Sequence, residues 1–156
     1  MHALEYFIKL RKTSNKEIGE ILNCSSTQVN DWKTGRRKIP EKHISRLCHL
    51  FDIPIDKAEI LERSNIEELD RAEIELIQNE VILHNALQEG DYMPEVIHTF
   101  EQRVELSKGQ FEILSLVHEL KGSIQRATLM DIHFNKEKFQ DELDKVRELI
   151  TYFNTK

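Results

Sequence analysis

Between Leu4 and Arg11 the apolar residues Leu4, Phe7, Ile8 and Leu10 recur at roughly helical spacing and stop before Thr13-Ser14, which predicts a first helix. Ser14-Asn15-Lys16-Glu17 then has the Ser-x-x-Glu form, in which the serine oxygen accepts from the third helical amide and the glutamate reaches back to the cap. A second helix carrying Ile18, Ile21 and Leu22 is predicted from there. Ser25-Ser26-Thr27-Gln28 repeats the form with Gln in the fourth place, so a third, short helix is expected over about 26–33. Asn23 lies between them and suits a turn, because asparagine tolerates the left-handed conformation better than most residues with a β-carbon. Beyond Gly35 and Pro40, the positions of Ile44, Leu47, Leu50 and Phe51 outline a fourth helix. Asp56-Lys57-Ala58-Glu59 can cap a short fifth one, and Ser64-Asn65 marks a break.

From 66 to 88 there is neither Gly nor Pro, and Leu69, Leu76 and Leu83 are spaced by seven with Ala72 and Ala86 interleaved. That spacing can form a packing seam. Ile74, Ile77 and Val81 widen the apolar surface, which favours a bundle over a two-stranded coil. Gly90-Asp91 makes a turn and Pro94 suits the first turn of the next helix, whose apolar residues run from Val96 to Leu120. Propensity leaves open whether Ser107-Lys108-Gly109 interrupts it. A short segment over about 124–132 and a last helix, capped by Asn135 and carrying Phe139, Leu143, Val146, Ile150 and Phe153, complete the pattern. The fold class expected is all-α: a five-helix N-terminal domain, 1–64, followed by a C-terminal bundle of three or four helices, 65–156.

Composition agrees, since 5 Gly and 3 Pro in 156 residues are too few turn residues for many short strands. No apolar run approaches the ~18 residues that span a bilayer, and the N-terminal segment lacks a basic stretch followed by a long apolar core. Neither secretion nor a membrane partner is expected. Two cysteines, Cys24 and Cys48, make no disulfide framework, so a cytoplasmic location is the default. The net charge of −6 would argue against nucleic acid if it were uniform. It is not: residues 1–50 hold ten Lys/Arg against five Asp/Glu, a net of +5, and 51–156 hold twelve against twenty-three, a net of −11. A Debye length of roughly 8 Å lets a local basic surface act independently of a distant acidic one.

Two capped short helices joined by a tight turn and followed by a basic loop form a helix-turn-helix pattern, which places its second helix in a DNA major groove. Residues 14–40, SNKEIGEILNCSSTQVNDWKTGRRKIP, resemble the lambda-repressor/Cro-like, or XRE, family without a gap, and the resemblance extends over about 1–62. It rests on Ile18, the small Gly19, Leu22, the turn at Asn23, Val29, Trp32, Gly35 and the basic stretch after it. The family usually has Ala where Gly19 stands, often has Glu where Lys33 stands, and commonly has Gly where Asn23 stands. With Val29 and Trp32 turned to the core, Ser26, Thr27, Gln28, Asn30 and Asp31 are the candidates for reading base edges. Gln and Asn suit adenine, Ser and Thr suit several edges, and an acidic side chain suits cytosine. Asp31 fits least well, because its carboxylate repels phosphates. The resemblance implies that Asn15, at a helix N-terminus, touches phosphate, and that Lys33, Arg36, Arg37 and Lys38 hold the DNA backbone on the other side.

Other chemistry is not indicated. His84, His98, His118 and His133 fall one to a segment with no paired spacing, and His43, Cys48 and His49 sit in a core-like helix, so no metal and no cofactor is expected. Cys24 and Cys48 read as small buried hydrophobes. With no phosphate loop, nucleophile elbow or nucleophile–base constellation, the chain is not expected to be an enzyme. The function expected is a sequence-specific regulator of transcription, a repressor bound to double-stranded DNA as a homo-oligomer joined through 65–156. The alternative is a protein-interaction module, antitoxin-like or anti-repressor, whose C-terminal helices bind a heterologous protein.

Overall fold

The computed structural model describes residues 1–129 and 136–154, and among these every regular element is helical. In chain order they are α1 (Ala3–Leu10), α2 (Asn15–Leu22), α3 (Ser26–Lys33), α4 (Glu41–Leu50), a 3₁₀ segment (Ile55–Glu62), α5 (Glu68–Glu89), α6 (Pro94–Leu129) and α7 (Lys136–Asn154). The fifth helix expected at Asp56 is thus a 3₁₀ segment that starts directly after Pro54.

The short helices are set by their ends. Ser14 and Ser25 each accept from the third helical amide while Glu17 and Gln28 accept the cap N–H in return, so both anticipated capping boxes are present. At the C-termini the chain turns left-handed at Lys12 (φ 51°), Asn23 (φ 52°), Gly35 (φ 70°) and Asp52 (φ 53°). After α3 the Arg36 N–H bonds the Asp31 carbonyl and the Gly35 N–H bonds that of Trp32, the paired bonds of a Schellman closure. Glycine serves that closure without the strain a β-carbon brings. Lys12 makes the same paired closure without a glycine, Asp52 makes its outer bond from the Ile53 N–H to the Cys48 carbonyl, and the ion pair between Arg11 and Asp52 ties these two helix ends together.

The core of the first sixty residues is built from Leu4, Phe7, Ile18, Leu22, Val29, Trp32, Leu47 and Phe51. The Phe7 and Phe51 rings stack at 5.1 Å. Leu10 and Ile21, which share the apolar pattern of their helices, lie exposed. Cys48 is buried and Cys24 half-buried, and burial pushes both thiols above their ordinary pKa.

This core does not stop at residue 64. Ile66, Ile74 and Ile77 belong to the same cluster, Gln78 Nε2 donates to the Phe51 carbonyl at 2.7 Å, and Arg71 lies over the Tyr6 ring. The opposite side of α5, the row of Ala72, Asn79 and Ala86, faces α6, where Asn79 Nδ2 donates to Ser107 Oγ. α6 runs through 107–109 unbroken: Ser107 is buried and its hydroxyl bonds the Arg103 carbonyl within the helix, and Gly109 is buried as well. Residues 124–129 of the expected short segment are the end of α6. Its remainder, the Asn135 cap and His133 lie outside the described residues. α7 follows α6 on a further side, with Tyr152 Oη donating to Glu105. Among the described residues no helix is long and apolar enough to cross a membrane.

Candidate nucleic-acid interface

The crossing of α2 and α3 begins at Gly19. A β-carbon there would stand 2.7 Å from the Cys24 carbonyl oxygen and 3.3 Å from the Ser26 nitrogen, so the turn passes directly over the glycine. Close passage lays the first turn of α2 against the second half of α3, where Asn15 Nδ2 donates to Asn30 Oδ1 at 3.4 Å. Asn15, Lys16, Ser26, Thr27, Asn30 and Lys33 then line one shallow, open groove of about 630 Å³. Val29 and Trp32, on the inner side of α3, are buried as their spacing predicts. Lys16 was not singled out from sequence. Its signal was present, a cation one residue beyond Asn15 in the first turn of a capped helix.

The other candidates divide by what they already touch. Ser26 and Thr27 are exposed on the groove. Gln28 is exposed too, yet its Oε1 accepts the Ser25 N–H at 3.0 Å and it lines a second open concavity over Gly19 and Asn23. Asp31 has a side chain only 19% exposed and faces Arg36 and Arg37 at 3.8 and 3.7 Å. It stands on the loop side of α3 and is not among the residues that line the groove. Arg36, Arg37 and Lys38 are exposed on that loop. Arg37 and Lys38 also rim a small cavity of about 250 Å³ above Trp32 and His2.

Beneath the loop, the backbone is pinned by the Ile39 N–H, which donates to Glu62 Oε1 at 2.9 Å. Trp32 packs against the His43 ring of α4 at 5.3 Å, and burial holds that imidazole below its ordinary pKa, with Lys42 and Arg46 adding to the effect. Glu17 is held below the usual carboxylate range by the Ser14 N–H and by the Ser14 and Thr13 hydroxyls, so its charge stays at the positive end of α2.

Chemically, the surface offers hydrogen-bonding side chains at the centre and cations on two sides, a distribution suited to a polyanion with a readable edge. Among the described residues no group of three or more His, Cys, Asp or Glu is placed to hold a metal ion. No family model, no curated protein and no solved structure matches the chain.

Proposed function

We propose that this protein is a sequence-specific double-stranded DNA-binding regulator of transcription, a repressor that occupies its operator as a homo-oligomer. The observation that carries the reading is the single groove shared by the N-terminus of α2 and the outer face of α3. Ser26, Thr27, Asn30 and Lys33 of α3 line it together with Asn15 and Lys16 of α2. A recognition helix so exposed, and followed by the Arg36-Arg37-Lys38 loop, suits insertion into a major groove with phosphates gripped on either side.

In this reading Ser26, Thr27, Gln28 and Asn30 read bases, and Asn15, Lys16, Lys33, Arg36, Arg37 and Lys38 hold phosphate. Asp31 changes part: it orients the two arginines, and its carboxylate is the ion they exchange for phosphate. One helix of eight residues reads few base pairs. Two copies on half-sites about 34 Å apart supply the remaining specificity.

The test is selection of bound sites from random duplexes by the full chain, followed by retardation of the selected site over a range of salt. A palindromic site is expected. Replacing Arg36 and Arg37 by Ala together should weaken every duplex similarly and reduce the salt slope by about 2. No enrichment, with a heterologous protein recovered instead, would replace this reading by the interaction-module alternative.

A further inference from the structure

α6 is held on two sides. Ser107 takes the hydrogen bond of Asn79 from α5, and Glu105 takes that of Tyr152 from α7. Successive helical residues turn by about 100°, so Leu106, between these two, projects from the side of α6 that neither bond occupies. Leu106 is 63% exposed. Ile113, Val117 and Ile124 follow it at intervals of seven, four and seven, the spacing of one helix face. Ile113 and Val117 are half-buried and Ile124 is exposed. On α7, the exposed Ile150 and half-buried Leu143 lie to one side of the buried Val146, and Tyr152, which bonds Glu105, lies to the other, so helix geometry turns Ile150 and Leu143 toward the Leu106 side of α6.

We propose that the stripe is the docking surface for a second copy of this chain, α6 against α6 in antiparallel sense about a two-fold axis near residue 115. The interval pattern reads the same in both directions. A two-fold axis at its centre therefore sets Leu106 against Ile124 of the second copy and Ile113 against Val117 of the second copy, an isologous contact that closes on itself. The stripe also lacks carboxylates, although it lies in the part of the chain with a net charge of −11. Glu105 and Glu112 stand one position before Leu106 and Ile113, and so about 100° around the helix, and Glu119 continues their row at the interval of seven. Two acidic halves can thus meet here without setting like charges face to face, which costs several kcal/mol when it happens.

The size is adequate. Residues 106–124 span about 27 Å, and α6 with the bordering strip of α7 is about 20 Å wide, which gives roughly 500–600 Å² on each copy. Stable interfaces take about 600–1,000 Å² per partner, so the face comes to the lower edge of that range. This inference rests on the self-association part of the function proposed above and deepens it by naming the surface; it does not depend on DNA binding.

The experiment is sedimentation equilibrium of the full chain at micromolar concentration, with helical content and melting checked for each variant. The wild-type protein should run as a dimer. Leu106→Glu and, separately, Ile150→Glu should raise the dissociation constant by at least about tenfold with the fold intact, because each buries a charge against apolar surface. Leu87→Glu, on an exposed position of α5 off the stripe, should leave the dimer unchanged. The two-fold register has its own check: L106K and I124E should each weaken the dimer, and L106K/I124E together should restore it. A wild-type chain that stays monomeric overturns self-association and this surface together. Variants Leu106→Glu and Ile150→Glu as dimeric as wild type, or a dimer lost only in Leu87→Glu, overturn the surface while self-association stands.

Discussion

Gly19 carries more of the candidate interface than any charged residue. Helix propensity alone favours Ala over Gly at this position by up to about 1 kcal/mol. Here the Cys24 carbonyl lies so near that even a methyl group lacks room. Overpacking of this kind costs about 1–3 kcal/mol, so Gly19→Ala should be destabilising on balance and Gly19→Val more so. Urea denaturation followed by Trp32 fluorescence measures this, and a stabilised Gly19→Ala would show that the turn yields. The sequence made Gly19 legible as a small residue at a crossing. It could not show how close the crossing is, because that distance depends on where the left-handed Asn23 aims the following chain.

At the scale of elements, α3 meets α4 through the Trp32 and His43 rings. His43 is 7% exposed and packs on Trp32, and burial lowers its imidazole pKa from the ordinary 6.5. A histidine whose folded pKa is depressed contributes no penalty while both states are neutral. As pH falls below about 6.5 the unfolded chain takes up a proton that the folded one resists, and stability declines until the folded pKa is also passed. The urea midpoint of the wild type should therefore fall between pH 7.5 and pH 5.5, and His43→Phe, which keeps a ring against Trp32, should flatten that fall. Equal slopes for the two proteins would remove His43 from the effect. His2, also lowered by burial and opposed by Glu62 and Glu5, titrates in the same sense and leaves a residual slope. In sequence, His43 read as one member of a core-like helix; its contact with Trp32 of α3 is set by the tertiary structure.

Over the whole molecule, the N-terminal core and α5 share one buried cluster. The boundary expected near residue 64 falls between Leu61 and Ile66, two members of the same buried cluster. Ile74, 1% exposed, sits well inside what sequence assigned to the second domain. Its truncation to Ala should cost about 2–5 kcal/mol. Trp32 is the chain's single tryptophan, so its fluorescence reports the unfolding of the N-terminal core alone. Ile74→Ala should lower that transition. An unchanged Trp32 transition, with helical signal lost separately, would mean that the two parts unfold independently.

By itself the sequence determined the helical class, the positions of the first four helices and both capping boxes, since periodicity, caps and turn residues act over only three or four neighbours. It also marked Ser26, Thr27 and Gln28 as exposed positions of α3, because Val29 and Trp32 take its inner side. Tertiary packing decided what spacing along the chain cannot. It turned Asp31 toward the loop arginines, carried the core past residue 64 into α5, and kept α6 continuous across Gly109. It also left Leu106, Ile113, Val117 and Ile124 on the side of α6 away from its bonds to α5 and α7. Each of these depends on which surfaces distant segments bury against one another, and an apolar residue bears the same chemistry whether it faces its own core or a second copy of the chain.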